Sequence, residues 1–468
     1  MKWHPILVLG SALLVAGCAA VGPNYKLPEA AIINAPAAQG AFVSGGAAMT
    51  SDAPPDHWWK LFDDPKLDGL IEKALAGNTD LRVAEANLQR SQALLADVRS
   101  SRMSGLADVE ASYVQQSAEQ SLQHVQPPER YTYNVGVGIS YDLDLFGGIR
   151  RGIEAANADS ESVAAARDLV RVNVAAETAR AYSDICNTGN QLDVLRHLIS
   201  VQEQSLALTR SLITHGRAPQ FEEARQQNTI DTSKAQLSPL EAQQRNAAFR
   251  LATLAGLPPA QYDRSLLACH TPLRLHALLP TGDGQAMLKR RPDVRAAERQ
   301  LAASTARIGV ATAALYPDIK FGATLGSTGA AADFLSPLTN RFGVGPMISW
   351  NLNRGAVRDR IQAAEAQSRA SLAMFDGVVL TALRETETSL DNYGAGLNRL
   401  EQLQSALVEA QTVQHRTEEL RRGGKVGGLV TLDAERTWVT AEAAVATQQA
   451  AINSDQISVF LALGGGWQ

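Results

Sequence analysis

Residues 131–143 read Tyr131-Thr132-Tyr133-Asn134-Val135-Gly136-Val137-Gly138-Ile139-Ser140-Tyr141-Asp142-Leu143. Every odd position is apolar or aromatic, and every even position is polar or glycine. Successive side chains of a strand point to opposite sides, so an unbroken period of two predicts a strand with one apolar and one polar face. A second stretch matches it. Phe342, Val344, Pro346, Ile348, Trp350 and Leu352 alternate with Arg341, Gly343, Gly345, Met347, Ser349 and Asn351. Shorter alternations precede each: Ala107, Val109, Ala111 and Tyr113, then Ile319, Phe321, Ala323 and Leu325. Strands of about 9–11 residues with an apolar outside, a polar inside and aromatics near the ends fit a membrane barrel. An antiparallel sheet laid on a soluble core alternates in the same way.

Counting sharpens the choice. The chain offers four such strands, and about eight are needed before a closed barrel has room for side chains. An open sheet edge in lipid leaves backbone groups unpaired, at a cost of several kcal/mol each. Strands placed in a membrane therefore require several chains to share one barrel.

The regions around the strands repeat. Ile153-Glu154-Ala155-Ala156-Asn157-Ala158 returns as Ile361-Gln362-Ala363-Ala364-Glu365-Ala366, and His215-Gly216-Arg217 as Gly423-Gly424-Lys425. Leu254-Ala255-Gly256 returns more loosely as Ala462-Leu463-Gly464; from Ala155 to Ala363, Gly216 to Gly424 and Gly256 to Gly464 the offset is 208 residues each time. Upstream, Asn78-Thr79-Asp80-Leu81 faces Arg291-Pro292-Asp293-Val294, displaced by a short indel. A duplicated unit of this size is too long for a solenoid repeat. Each unit predicts a short helix, an intermediate helix (about 80–103 and 292–316), two strands, a very long helix (about 148–212 and 355–422), a glycine-bearing turn and a returning helix (about 219–254 and 429–461).

A helix of some 65 residues reaches on the order of 100 Å. Val163, Val170, Val174, Ala181, Ile185 and Leu192 follow an eleven-residue period, which supercoils little. Val379, Leu383, Leu390, Tyr393, Leu397, Leu400 and Leu407 come closer to a heptad seam. Periodicity alone also suits an ordinary helical bundle; the strands favour a tube. Abundant Ala permits close helix contact in such a tube, and Gln, Ser and Arg provide a wet inner face.

The N-terminus reads as a processing segment. Lys2 precedes an apolar run, Ile6 to Ala16, too short to span a bilayer, and Val15-Ala16-Gly17-Cys18 follows. Small residues before a cysteine resemble a lipobox, so Cys18 is the expected lipidation site, and Ala19 favours the outer over the inner membrane. The expected division is 1–17 signal peptide, 18–57 lipidated tether, 58–258 first repeat, 259–280 connector and 281–468 second repeat. The tether is rich in Ala, Gly and Pro without periodicity, and structure is expected to begin near Trp58-Trp59. Cys186 and Cys269 lack any other framework signal and read as two unpaired thiols.

The composition, 45% hydrophobic with a net charge of −5, leaves no basic patch for nucleic acid. No catalytic constellation is present, so no enzyme and no cofactor are expected. Cys269, His270 and His276 do not match a zinc spacing. Gly136 and Gly138 lie within a strand and are not a nucleotide loop.

The chain resembles the outer-membrane efflux proteins of the TolC/OprM type, in their lipoprotein (NodT-like) branch. The resemblance lies in Cys18-Ala19-Ala20-Val21-Gly22-Pro23-Asn24-Tyr25, Trp58-Trp59-Lys60-Leu61-Phe62-Asp63-Asp64-Pro65-Lys66-Leu67, Gly77-Asn78-Thr79-Asp80-Leu81 and Asp142-Leu143-Asp144-Leu145-Phe146-Gly147-Gly148. It continues through Arg290-Arg291-Pro292-Asp293-Val294, Leu432-Asp433-Ala434-Glu435-Arg436 and Ala462-Leu463-Gly464-Gly465-Gly466-Trp467, covering essentially the whole mature chain. It implies an α+β membrane protein: a homotrimer with a twelve-stranded β-barrel, four strands per chain, continued by a periplasmic α-helical barrel. It implies an outer-membrane, lipid-anchored conduit for drugs, solvents or metals. The implied partners are a periplasmic adaptor (membrane fusion) protein and an inner-membrane pump of the RND type. It further implies that the turns Gly216-Arg217-Ala218 and Gly424-Lys425-Val426 contact the adaptor. Two departures stand out. Arg102-Met103-Ser104-Gly105-Leu106 lacks the proline that Tyr316-Pro317 keeps, and the turn from Gly423 has no carboxylate before Asp433, so the resemblance does not extend to an acidic ring within that turn. A channel for one-step protein secretion shares fold and pore and is the alternative. A periplasmic adaptor or structural lipoprotein fits less well, since adaptors have a single helical hairpin.

Overall fold

The computed structural model describes residues 20–114 and 130–465. Helices α1 (Pro65–Gly77) and α2 (Thr79–Ser100) lead to strands β1 (Met103–Val114) and β2 (Arg130–Asp142). The 67-residue α3 (Gly148–Thr214) follows, and α4 (Phe221–Ala235) and α5 (Leu237–Leu254) return. The order then repeats: α6 (Gly284–Arg290), α7 (Pro292–Ala313), β3 (Asp318–Ala330), β4 (Asn340–Ser349), the 69-residue α8 (Arg354–Arg422) and α9 (Gly428–Ala462). Sequence-encoded caps set the short helices. Asp64 accepts from the N–H groups of Lys66 and Leu67 with Pro65 in first position, and Asp283 accepts from Ala286.

Contacts divide the chain into two compact units. The first comprises Asn87–Ala164, Ala296–Phe375 and the described residues up to Pro28. It holds one antiparallel sheet in the order β1-β2-β3-β4. Val109 lies opposite Val135, Val137 opposite Leu325, and Leu325 opposite Phe342, so the apolar alternations of all four strands share one face. Among the described residues, the outer edges of β1 and β4 have no strand partner.

The second unit is helical around a buried aromatic core. Trp58 stacks on Phe460 at 4.8 Å, and the Tyr182 hydroxyl donates to Asp64 at 3.0 Å. Burial and the Asp64 carboxylate push the Tyr182 phenol well above its ordinary pKa. Val174, Ala181, Ile185 and Leu192 of α3, and Val379, Leu390 and Tyr393 of α8, are buried as their spacing requires.

Four expectations need correction. The stretch 20–57 is not slack. In the first unit, buried Arg151 donates to the carbonyls of Val21 and Gly22 (3.0 and 3.1 Å) and to Asn24 (2.7 Å). In the second, Glu387 accepts from the N–H groups of Val43 and Ser44, and Met49–Thr50 pairs in parallel with Leu279–Pro280. A segment without periodicity is ordered here by remote side chains that satisfy its backbone.

Cys186 and Cys269 are not free thiols; they form a disulfide. Gly189, one turn beyond Cys186, explains the approach: a Cβ there would lie 2.1 Å from the Cys269 carbonyl oxygen. The first returning helix is interrupted at Gln236, because Pro239 has no N–H for the Ala235 carbonyl and its ring crowds that group. Finally, α2 and α7 stop at Ser100 and Ala313, some three residues short of expectation.

Candidate pore wall and helix tips

In the first unit the sheet presents two chemically distinct faces. On the apolar face Phe342 is 88% exposed, Val344 and Tyr131 70%, and Ile139 60%. A sheet laid on a soluble core would cover these side chains, so the exposed face is a contact surface for something apolar. The opposite face is polar and low. The Asn134 amide donates to Asp108 at 3.0 Å, and its oxygen accepts from Thr328 at 2.9 Å and from Arg341 at 2.5 Å. Gly136, Gly138, Gly343 and Gly345 alternate on this face, leaving it thin beside the network. Such a wall offers hydrocarbon to one side and water to the other. No helix of the described residues is long and apolar enough to cross a membrane.

In the second unit α3 and α8 end in the same way. Gly216 and Gly424 adopt positive φ (69° and 65°). Gly216 N–H bonds the Ile213 carbonyl and Arg217 N–H the Leu212 carbonyl; Gly424 and Lys425 do the same with Arg421 and Leu420. This is the Schellman arrangement, which needs a left-handed residue. Arg217 and Lys425 are exposed and form no ion pair, while Ala218 and Val426 are half-buried. Each returning helix then opens with an exposed large hydrophobe, Phe221 (66%) and Leu429 (40%).

Beside the first tip runs a groove of about 640 Å³ bordered by α3, α4 and α9. Leu212, Ala218 and Leu432 contribute apolar wall, and Gln202 and Gln226 contribute amides. The side-chain oxygens of both glutamines are buried without a hydrogen-bond partner. Unpartnered amide oxygens in a groove are acceptors available to a ligand or to water, while the Gln226 amide nitrogen is engaged by Thr209 at 2.7 Å. At the second tip Glu418 accepts from Arg421 twice at 2.7 Å and from Arg422 at 3.0 Å, and these hydrogen bonds hold its carboxyl down at about 2.

The two turns singled out by sequence thus become equivalent, exposed tips. Cys18 lies outside the described residues. Sequence reasoning missed Phe221, Leu429 and the two glutamines. Phe221 and Leu429 stand at the same 208-residue offset as the glycines, so the repeat itself carried that signal. In the connector, Cys269 is taken by the disulfide and His270 sits 2.5 Å from Asp193.

The sequence profile of the family described as outer membrane efflux protein matches residues 70–257 and 284–465. The pyoverdine export outer membrane protein OpmQ of Pseudomonas putida is 30% identical over 437 residues, covering 90% of either chain. The toluene efflux pump outer membrane protein TtgC, also of Pseudomonas putida, is 28% identical over 471 residues, covering 98% of this chain and 94% of its own. Among solved structures, the outer-membrane channel OprN superposes with a TM-score of 0.85 at 32% identity, over 96% of this chain and 99% of that one. With a two-faced sheet, a tandem repeat and very long helices already in view, the chain belongs to the outer membrane efflux protein family and is a channel subunit of the outer membrane that extends into the periplasm.

Proposed function

We propose that three copies of this chain close one twelve-stranded barrel, and that the trimer is the exit duct of a tripartite pump for small molecules. The observation that carries this reading is the four-stranded sheet with an exposed apolar face and two unpartnered edges. Neither edge can remain open in hydrocarbon, and three such sheets provide more than the roughly eight strands a barrel needs. The same operation sets the α3 and α8 helices of neighbours side by side as a tube. The relatives named for pyoverdine and toluene favour small-molecule efflux over protein secretion.

The tips are the docking ends for a periplasmic adaptor, which connects the duct to an inner-membrane pump of the RND type. Exposed Arg217 and Lys425 supply unpaired cations there, and Phe221 and Leu429 supply apolar anchors. Acylation of Cys18 holds the mature N-terminus in the membrane.

Native mass spectrometry of protein extracted in detergent is the test. A trimer is expected, each chain beginning at an acylated Cys18. A stable membrane-inserted monomer would overturn the barrel, and an unmodified Cys18 would overturn the anchor.

A further inference from the structure

Tyr133 departs from the pattern of its own face. Tyr131, Val137 and Ile139 on that face are 70%, 57% and 60% exposed, whereas Tyr133 is 7% exposed. It is covered by the β3–β4 connection, residues 331–339, at the end of the sheet opposite the helix junctions. The Phe334 ring meets the Tyr133 ring edge-on at 4.8 Å. The Leu335 N–H donates to the Tyr133 hydroxyl oxygen at 2.9 Å, and that oxygen lies 2.9 Å from Thr339 Oγ1 and 2.8 Å from Ser327 Oγ. Leu335 holds a left-handed φ of 59°, which a leucine seldom adopts, to present this N–H. Gly329, paired with Tyr133 across the ladder, clears the way; a Cβ there would lie 2.5 Å from Thr339 Cγ2.

The connection is therefore folded back onto the apolar face of the wall and not across the polar one. Much of its apolar surface nonetheless stays open: Leu338 is 97% exposed, Leu335 56%, and Phe334 57% despite its edge contact with Tyr133. Large apolar groups clustered at this exposure mark a contact surface.

We infer that residues 334–338 form a lipid-binding surface whose occupant is the acyl and interfacial layer of the outer leaflet, with Tyr133 as the clasp that turns the loop toward it. Continuity identifies the occupant. The loop extends the exposed apolar belt of Tyr131, Val137, Ile139 and Phe342, and an outer-membrane channel presents such a belt to hydrocarbon. The inference rests on the reading of that face as the barrel's exterior. Its consequence is that this loop grips the membrane around the mouth instead of folding across it.

Nitroxide labels on single introduced cysteines at Leu338→Cys, Ile139→Cys and Glu110→Cys, in full-length protein reconstituted into phosphatidylcholine vesicles, test it; Cys186 and Cys269 are already joined and do not react, and the unsubstituted protein carried through the same labelling gives the background from Cys18. Collision with oxygen reports lipid, and collision with a water-soluble nickel chelate reports solvent. The oxygen-to-nickel ratio at position 338 is expected to match position 139 and to exceed position 110, on the polar face, several-fold. A nickel-accessible 338 beside an oxygen-rich 139 overturns this inference alone. Nickel access at both positions overturns the barrel reading as well. A label at 338 shielded from both reagents indicates a protein neighbour, such as a second copy, and also overturns it. Adding Tyr133→Phe, which keeps the ring, should raise nickel access at 338 several-fold; no change would remove Tyr133 from its assigned role.

Discussion

Four helices of this chain end on the same motif, in two different settings. At Gly216 and Gly424 the glycine takes φ of 69° and 65°; at Gly256 and Gly464, where α5 and α9 end, it takes 74° and 70° with the same pair of closing hydrogen bonds. The surroundings differ. A Cβ at Gly256 would lie 2.2 Å from the Gly77 carbonyl oxygen, and one at Gly464 would lie 2.9 Å from Arg291 Cγ. At Gly216 and Gly424 it would meet nothing within 4 Å. One pair of turns is glycine for backbone angle and for space, the other for angle alone. A turn that must close a helix and still leave its outside vacant is what a docking end requires, and a turn wedged against another backbone is what a core requires.

The largest expected effect tests the wedged pair. Gly256→Val adds left-handed strain of about 1–2 kcal/mol to overpacking of about 1–3 kcal/mol, so a loss of about 2–5 kcal/mol in denaturant unfolding is expected. A loss no greater than at the tips would erase the contrast. The same unit holds the Cys186–Cys269 bond, which closes a segment of 83 residues. Replacing both cysteines by alanine should cost about 2–4 kcal/mol in the same assay, and an unchanged midpoint would show that packing alone holds the connector.

Site for site, the expected cost of Gly216→Val with Gly424→Val is smaller, about 1–2 kcal/mol each, since only backbone strain is added. Assembly should survive while efflux and adaptor cross-linking are lost. Normal efflux in this double variant would leave the tip glycines a role in turn geometry only. The smallest effect belongs to Glu418. Its carboxyl is held at about 2 by Arg421 and Arg422, below the unfolded value of roughly 4.3. Its contribution is therefore present above about 4.3 and is lost as the pH falls toward 2. A carbon-13 titration of the Glu418 carboxyl should show a midpoint near 2; one near 4 would dissolve the ion cluster that stiffens this tip.

Much of the frame was legible because it rests on periodicity. The alternation from Tyr131 to Leu143 specifies the strand and its faces, and the 208-residue offset alone pairs Gly216 with Gly424. What escaped depended on partners remote in sequence. Nothing around Ala20–Tyr25 shows that Arg151 will bind its carbonyls, and no spacing rule joins Cys186 to Cys269. The decisive residue there is Gly189, whose missing side chain admits the connector, and a lone glycine in a helix reads only as a weak spot. Pro239 is plain in the sequence, and the break it imposes at Gln236 follows from its missing N–H. Gln202 and Gln226 are unremarkable letters, and their interest lies in burial.

The bond between Cys186 and Cys269 also fixes a place and a time. Dithiols stay reduced in the cytosol and oxidise in the periplasm. During synthesis and passage through the inner membrane no covalent bond ties the connector to α3, and the chain can be threaded. The staple is added only on the far side. Export competence and final rigidity, which oppose one another in a single polypeptide, are thereby separated by compartment.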